Sequence, residues 1–248
     1  MPNSRPAQER PGDARVLDCL YRVGAFVNAT EDPREALDFI LEVDCYAFAW
    51  RHKATRDAAS RDWLHRTLDF IEGHMRHPGG LGFWHELPAK GWRQQNPHMH
   101  LTEACLAAYE ATGETRFADA ATKLIDLFQS KLFDQHSGTL AEYFADDWSR
   151  APGEEGRLVE PGHQLEWAWI LNAARKQLNL NTTDMIRALV KFAEAHGVDK
   201  ATNVTFNSVR DDGQRAQEDQ HQHEGDRDQH QQENLQNARY GTGHRAFR

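Results

Sequence analysis

Apolar residues in this chain recur three and four positions apart, which is the spacing of one face of an α-helix. The clearest stripes comprise Leu64, Leu68 and Ile71, then Leu101, Cys105, Ala108 and Tyr109, then Phe117, Ala121, Leu124, Leu127 and Phe128. The spacing predicts helices over about 65–75, 101–112, 116–132, 161–178 and 183–195, with earlier helices at 15–27 and 33–51. Gly113 and Gly197 follow two of them as stop signals, and Thr182 or Thr183 is the predicted cap of the last. The chain is therefore predicted to be all-α.

Two long connections interrupt these helices, and the other connections are short. The long ones, His77–Asn96 and Asp134–Glu160, are rich in Gly, Trp and Phe. Long loops in a compact domain are commonly functional. Helix pairs whose long loops meet at one end, around a polar pocket, suggest a toroid of helical hairpins, although an ordinary helical array would give the same local signals.

Composition divides the chain into three parts. From Gln214 to Arg248 there is one Leu and no Ile, Val, Met or Trp, so this segment is predicted to be a disordered polar tail. Residues 1–13 are predicted to be disordered as well, which leaves 14–213 as the catalytic domain. The three cysteines, Cys19, Cys45 and Cys105, are interpreted as small buried apolar residues in a reducing compartment.

Charge and hydropathy exclude several classes of function. The net charge of −9 argues against nucleic acid, which needs a basic face. The sequence contains no run of about 18 apolar residues, so no membrane helix is predicted. The N-terminus has no apolar core of the kind that a secretory signal needs. A cytoplasmic protein without membrane or nucleic-acid partners is expected.

The segment QQNPHMHLTE carries the first group of polar candidates. Pro97 favours the first turn of a helix, which puts Asn96 at the predicted N-cap and His98 and His100 in the first turn. His100 and Glu103 are three apart and share a helix face. A helix cap remains an alternative role for Asn96, and a structural role remains one for His100.

The segment VEPGHQLEWAW repeats this arrangement. Pro161 opens a helix, and His163 and Glu166 follow three apart on one face. Since this helix is apolar nearly all round, with Leu165 and Trp169 among its apolar residues, it is predicted to be buried. A His and a Glu on such a helix must be paired or face a polar cavity. A carboxylate beside an imidazole orients it and raises its pKa, so Glu166 is predicted to orient His163 for proton transfer.

Other chemistries were weighed against this one. His98, His100 and His163 could ligate Zn or Mn together with a carboxylate. Alternate residues within one helical turn point in diverging directions, so the prediction is no metal and no cofactor. The sequence has no GxSxG nucleophile motif and neither of the glycine-rich nucleotide motifs GxGxxG and GxxxxGK[ST].

Aromatic residues cluster in the two long loops that precede these helices. Phe83, Trp84 and Trp92 lie in one, and Tyr143, Phe144 and Trp148 in the other. Flat rings with a polar edge suit the C–H faces of a sugar. Trp92 and Trp148 are therefore predicted substrate contacts. Asn96, His98 and Trp167 are further candidates for substrate binding, and His163, Glu166 and His100 are the candidate catalytic residues.

Three segments, NPHMHLTEA, GTLAEYFADDW and VEPGHQLEWAW, closely resemble the N-acylglucosamine 2-epimerase superfamily, which includes mannose isomerases, cellobiose 2-epimerases and sulfoquinovose isomerases. The resemblance runs from about Leu64 to Asn207. It implies an (α/α)6-barrel type helical toroid and reversible proton transfer at the sugar C2 without a redox cofactor. By motif, it implies that Asn96 and His100 contact substrate and that His163 acts with Glu166 in proton transfer.

The chain also departs from the family pattern. Family members are longer and take a second catalytic histidine from near the C-terminus, for which His244 is not a convincing match. The family's N-terminal Arg-x-x-Tyr is replaced by Val43-Asp44-Cys45-Tyr46. These departures predict a truncated chain and an incomplete toroid, which would expose apolar faces and favour a homo-oligomer.

The expected function is that of a sugar isomerase that interconverts D-mannose and D-fructose, or a similar pair, through an enediolate. The alternatives are a 2-epimerase that uses the same residues, an inactive or sugar-binding family member, and a metal-dependent isomerase. Without a Lys/Arg cluster to hold phosphate, an unphosphorylated monosaccharide is the expected substrate.

Overall fold

The computed structural model describes residues 45–216, in which six α-helices are joined by short and long connections in alternation. The helices are α1 (45–55), α2 (Ala58–Phe70), α3 (Asn96–Thr112), α4 (Thr115–Leu127), α5 (Pro161–Leu178) and α6 (Thr183–His196). π-Helical turns at Ile71–Met75 and Phe128–Leu132 continue α2 and α4, and a 3-10 turn covers Glu155–Arg157. The helices predicted beyond residue 58 are therefore confirmed.

Short antiparallel strand pairs organise the loops. The strands are β1 (Arg93–Gln94), β2 (Phe133–Asp134), β3 (Thr139–Leu140), β4 (Tyr143–Phe144), β5 (Leu158–Val159) and β6 (Val209–Arg210). β2 and β3 form a hairpin, and β5 pairs with β6. The pair β1–β4, with Arg93 opposite Phe144, joins the two long loops.

Helical hairpins are the repeating unit of the architecture. α3 packs against α4 and α5 against α6, and α3 and α5 also pack against each other. The apolar stripes read from the sequence lie in one hydrophobic core, with Leu64, Phe117 and Leu124 at 3% exposure or less. Contacts between residues at the starts of α3 and α5 place both long loops at the same end of the helices.

Local signals at the helix ends are confirmed in part. Gly113 has a left-handed backbone (φ 74°), and its N–H donates to the Tyr109 carbonyl, as a C-terminal glycine should. The predicted N-cap of α3 is wrong, because the helix begins at Asn96 itself and Gln95 occupies the N-cap position. Thr182 occupies the N-cap position of α6, as predicted, but its hydroxyl donates to the Leu171 carbonyl and makes no capping hydrogen bond.

The predicted burial of α5 on all sides is wrong. The side chains of Leu165 and Trp169 are 42% and 56% exposed, because none of the elements within residues 45–216 covers that side of the helix. Each helix in this range is too short or too polar to cross a bilayer.

Several predictions concern the ends of the chain. Order extends past the predicted boundary at residue 213, since Arg215 pairs with Asp199 and lies over the Phe206 ring, and Ala216 is buried. Cys45 and Cys105 are fully buried, as predicted, and burial raises the pKa of the Cys105 thiol. Predictions for 1–44, including Cys19, and for 217–248 lie outside the described residues.

The packing of α4 leads to a stability prediction. Phe117 is fully buried and its ring contacts His65, whereas Phe70 on α2 is 38% exposed. We expect Phe117→Ala to lower the free energy of unfolding by about 3–5 kcal/mol, the range for a buried aromatic deletion. Urea denaturation measures the loss. Phe70→Ala is the matched control, and an equal loss in both variants would contradict this packing.

Candidate active site

The buried carboxylate of Glu142 is the centre of the candidate site. Its side chain lies just before β4 and is only 5% exposed. Oε2 accepts a hydrogen bond from Gln95 Nε2 (2.8 Å) and lies 2.9 Å from His163 Nδ1, while Oε1 accepts from the backbone N–H of Glu160 (3.2 Å). A buried charge needs such partners, so this one carboxylate joins the starts of α3 and α5.

Backbone hydrogen bonds fix the position of Glu142. Its N–H donates to the Leu158 carbonyl (3.0 Å), and its own carbonyl accepts from the Gln95 N–H (3.1 Å). The loop is therefore tied to β5 on one side and to the start of α3 on the other. Sequence reasoning missed Glu142, although the segment GTLAEYF contains it, because its partners come from distant parts of the chain.

His163 lies in the first turn of α5, between carboxylates. Besides Glu142, Glu160 Oε2 lies 3.3 Å from its Nδ1. Burial lowers the pKa of His163, but the hydrogen bond and charge of Glu142, with the charges of Glu160 and Glu166, outweigh burial and raise that pKa above 6.5. An imidazole held at Nδ1 by a carboxylate can exchange protons with a ligand through Nε2.

The structure pairs Glu166 with a different histidine from the one expected. Glu166 Oε1 lies 3.5 Å from His100 Nδ1, and Glu103 Oε2 lies 4.0 Å from the same nitrogen. The expectation that Glu166 orients His163 is therefore wrong: Glu142 makes that contact, and Glu166 reaches across to α3. All three side chains of this second group are partly exposed, which leaves them accessible to a ligand.

Trp167 lies behind the site, in the core. Its side chain is fully buried, and its indole N–H donates to Gln95 Oε1 (2.6 Å). Gln95 is fully buried as well. Trp167 thus has no surface to offer a sugar, and the predicted substrate contact is not supported at this position.

His98 has the environment of a structural histidine. It is 1% exposed, its Nδ1 donates to the Gln94 carbonyl (3.0 Å), and its Nε2 accepts from the Phe83 N–H (2.9 Å). Burial lowers its pKa to about 4, so the ring is neutral near pH 7. Because both nitrogens are bonded to the backbone, the predicted substrate contact is not supported here either.

The remaining predicted contacts differ in exposure. Trp148 is buried and donates its indole N–H to the Leu81 carbonyl (3.3 Å), whereas Trp92 is 37% exposed. Asn96 is partly exposed, but its Oδ1 is buried and has no hydrogen-bond partner within residues 45–216. An acceptor left in this state next to the site is available to a ligand hydroxyl.

Arg93 holds the two long loops together. Its guanidinium is buried between the rings of Trp84 and Trp148, at 4.2 and 4.8 Å from their centroids. Nη1 also donates to the Phe83 carbonyl (3.3 Å). Such cation–π contacts are stronger where the charge is desolvated. Trp148 therefore acts in packing, and the predicted substrate contact is not supported at this position, whereas the exposed Trp92 keeps surface that a sugar could contact.

Two groups of side chains have metal-ligating chemistry. They are His100 with Glu103 and Glu166, and His163 with Glu142 and Glu160, and within each the ligand atoms lie within 4.8 Å of one another. The set weighed from the sequence, His98 with His100 and His163, is not assembled, because the backbone occupies both nitrogens of His98.

The pKa values of His163 and His98 are shifted in opposite directions from the ordinary value. We expect His163 to titrate above 6.5 and His98 at about 4. The raised pKa of His163 then adds to the free energy of unfolding. This contribution is complete below pH 6.5 and is lost as the pH rises through the pKa of the folded state. His98 contributes stability that is present above 6.5 and is lost as the pH falls towards 4.

Histidine-ring proton NMR titration of the full chain measures both values. His163→Gln and His98→Gln identify the two signals by their disappearance. Two rings that titrate together near 6.5 would contradict the environments described above.

Comparisons with known proteins agree with this architecture. A sequence model of the N-acylglucosamine 2-epimerase (GlcNAc 2-epimerase) family matches residues 25–226. A mannose-6-phosphate isomerase of Rhizobium meliloti is 38% identical over 145 residues, which is 57% of this chain and 37% of that protein. A D-mannose isomerase of Thermobifida fusca is 34% identical over 97 residues, 36% of this chain and 23% of that one. The chain thus spans about a third or less of the length of these relatives.

Solved structures show the fold. A D-mannose isomerase crystal structure aligns with a TM-score of 0.62 and 24% identity, over 73% of this chain and 47% of that one. A cellobiose 2-epimerase of Bacillus thermoamylovorans aligns with a TM-score of 0.52 and 15% identity, over 72% and 65%. These likenesses confirm the predicted fold class, the (α/α)6 toroid. Together with the family match over residues 25–226, they show that the chain belongs to the N-acylglucosamine 2-epimerase family.

Proposed function

We propose that this chain carries the proton-transfer site of a sugar isomerase. The observation that carries the proposal is the contact of His163 Nδ1 with the buried carboxylate of Glu142, at 2.9 Å. A histidine held in this way at a partly exposed position has the orientation and charge stabilisation that a general base needs. Family membership supports the same chemistry.

The proposed reaction moves one proton between neighbouring carbons. His163 Nε2 removes the proton from C2 of the open-chain aldose, which leaves an enediolate, and returns it to C1 to give the ketose. The hydroxyl proton passes from O2 to O1. His100 is proposed to donate to the oxygen on which negative charge develops, because that charge needs a nearby donor. Asn96 is proposed to accept a hydrogen bond from a sugar hydroxyl through Oδ1. The accessible His100–Glu166 pair and the unpartnered Asn96 Oδ1 support these assignments.

D-Mannose and D-fructose are the proposed pair. The names of the relatives point to mannose or its 6-phosphate. Arg93 is the buried cation of the described site loops, and it is enclosed by Trp84 and Trp148 and faces the carboxylate of Asp146 at 3.5 Å. The unphosphorylated sugar is therefore favoured. Cytoplasmic location and a homo-oligomer stay predictions from the sequence.

A 2-epimerase is the second candidate. Inversion at C2 needs proton exchange on both faces of the enediolate, and a second histidine–carboxylate pair, His100 with Glu166, lies next to the first. A non-catalytic sugar-binding role is the third reading, since this chain spans only part of its relatives' length.

Proton NMR of D-mannose incubated with the full chain in D2O tests the proposal. We expect fructose with deuterium at C1, because the proton held on the partly exposed His163 exchanges with D2O before its return to carbon. Deuterated glucose without fructose would indicate the epimerase. His163→Gln should lower turnover about 10²- to 10⁴-fold, which is the usual contribution of a general acid or base. The matched control is His136→Gln, at an exposed loop residue.

Three results would count against this function. No change in the mannose signals at high protein concentration would favour the sugar-binding reading. Near-native turnover by His163→Gln would contradict the assignment of the base. Conversion of mannose 6-phosphate but not mannose would correct the substrate.

A further inference from the structure

We propose that Gln95 and Trp167 are positioning residues that keep His163 in one tautomer, with the proton on Nδ1 and the lone pair on Nε2. This inference rests on the proposed function, because the tautomer matters for catalysis only if His163 acts as the base through Nε2. The evidence for it is a chain of contacts that leads from the buried Trp167 through Gln95 to Glu142 and the imidazole.

The first contact fixes the orientation of an amide. An indole N–H can only donate a hydrogen bond, so the atom of Gln95 that lies 2.6 Å from Trp167 Nε1 must be the oxygen. The amide nitrogen is then directed to Glu142 Oε2, at 2.8 Å. Both side chains are fully buried, so solvent does not readily replace the indole donor.

The contacts that His163 makes with Gln95 and Glu142 set the position of the imidazole proton. Gln95 Nε2 and His163 Nδ1 lie 3.0 Å apart, and both converge on Glu142 Oε2. A bare Nδ1 could accept from the amide, but its lone pair would then lie 2.9 Å from a carboxylate oxygen. With Glu142 ionised, this contact is favourable only if Nδ1 carries the proton and donates it.

The role of Gln95 follows from the burial of Glu142. At 5% exposure, this carboxylate depends on its hydrogen-bond donors to replace the solvation that burial removes. Gln95 supplies one of them, and Trp167 prevents the amide from turning its oxygen towards the carboxylate. Without the indole donor, the amide can rotate, Oε2 loses a donor, and the electrostatic hold of Glu142 on His163 weakens.

Long-range ¹H–¹⁵N NMR of the histidine rings tests the tautomer in the full chain. The His163 signals are those that disappear in His163→Gln. At a pH where His163 is neutral, we expect the wild type to carry its proton on Nδ1. In Trp167→Phe, we expect a mixture of the two tautomers and a pKa of His163 that moves down towards 6.5.

Trp169→Phe is the matched control, because it removes an exposed indole two residues further along the same helix. We expect it to leave the tautomer and the pKa of His163 unchanged. If Trp167→Phe does not fold, Gln95→Met removes the amide and is read out in the same way. In an active protein, either variant at Gln95 or Trp167 should lower kcat while KM changes little.

A proton on Nε2 in the wild type would overturn the proposal. So would a folded Trp167→Phe or Gln95→Met protein whose tautomer and pKa match the wild type. The tautomer is measured without turnover, so its outcome is separate from that of the mannose experiment. A chain with the expected tautomer but without isomerase activity would keep the positioning assignment and contradict the proposed function.

Discussion

The burial of the Glu142 carboxylate is the constraint on which the arrangement of the site depends. A charge removed from water is costly unless hydrogen bonds replace the lost solvation. Here those contacts come from Gln95 before α3, from His163 in α5 and from the Glu160 backbone. The hydrogen bonds to Glu142 therefore form only when both long loops, α3 and α5 are in place. The same contacts that stabilise the charge also orient the histidine.

The hairpin repeat explains why these groups meet. α2 and α4 each end in a π-helical turn, which is followed by a long loop with short strands. The next helix, α3 after α2 and α5 after α4, has proline in its first turn. Two consecutive repeats thus place two loops and two helix N-termini at the same end of the bundle. The β1–β4 pair and the buried Arg93 then fix one loop against the other.

The sequence predicted what depends on local spacing. Helix periodicity, the Gly113 stop and the placement of His100 and His163 near the starts of two helices all follow from interactions within a few residues. It could not predict Glu142 as the partner of His163, because that contact spans 21 residues and depends on how a loop folds. Glu166 was assigned to the wrong histidine for a related reason. Residues three apart share a helix face, but that face also borders a neighbouring helix whose side chains compete for the contact.

Three histidines lie near the site, and their different surroundings, not their residue type, determine which role each of them can have. His98 is enclosed by backbone partners and burial keeps it neutral, so it can pack but not exchange protons. His163 is partly exposed, yet neighbouring carboxylates favour its charged form. His100 is paired more loosely with exposed carboxylates. A pair of titratable groups in unlike surroundings is the usual basis for separate roles in proton-transfer enzymes. In the proposed reaction, the tightly held His163 is therefore better suited to the carbon-bound proton and His100 to the sugar oxygens.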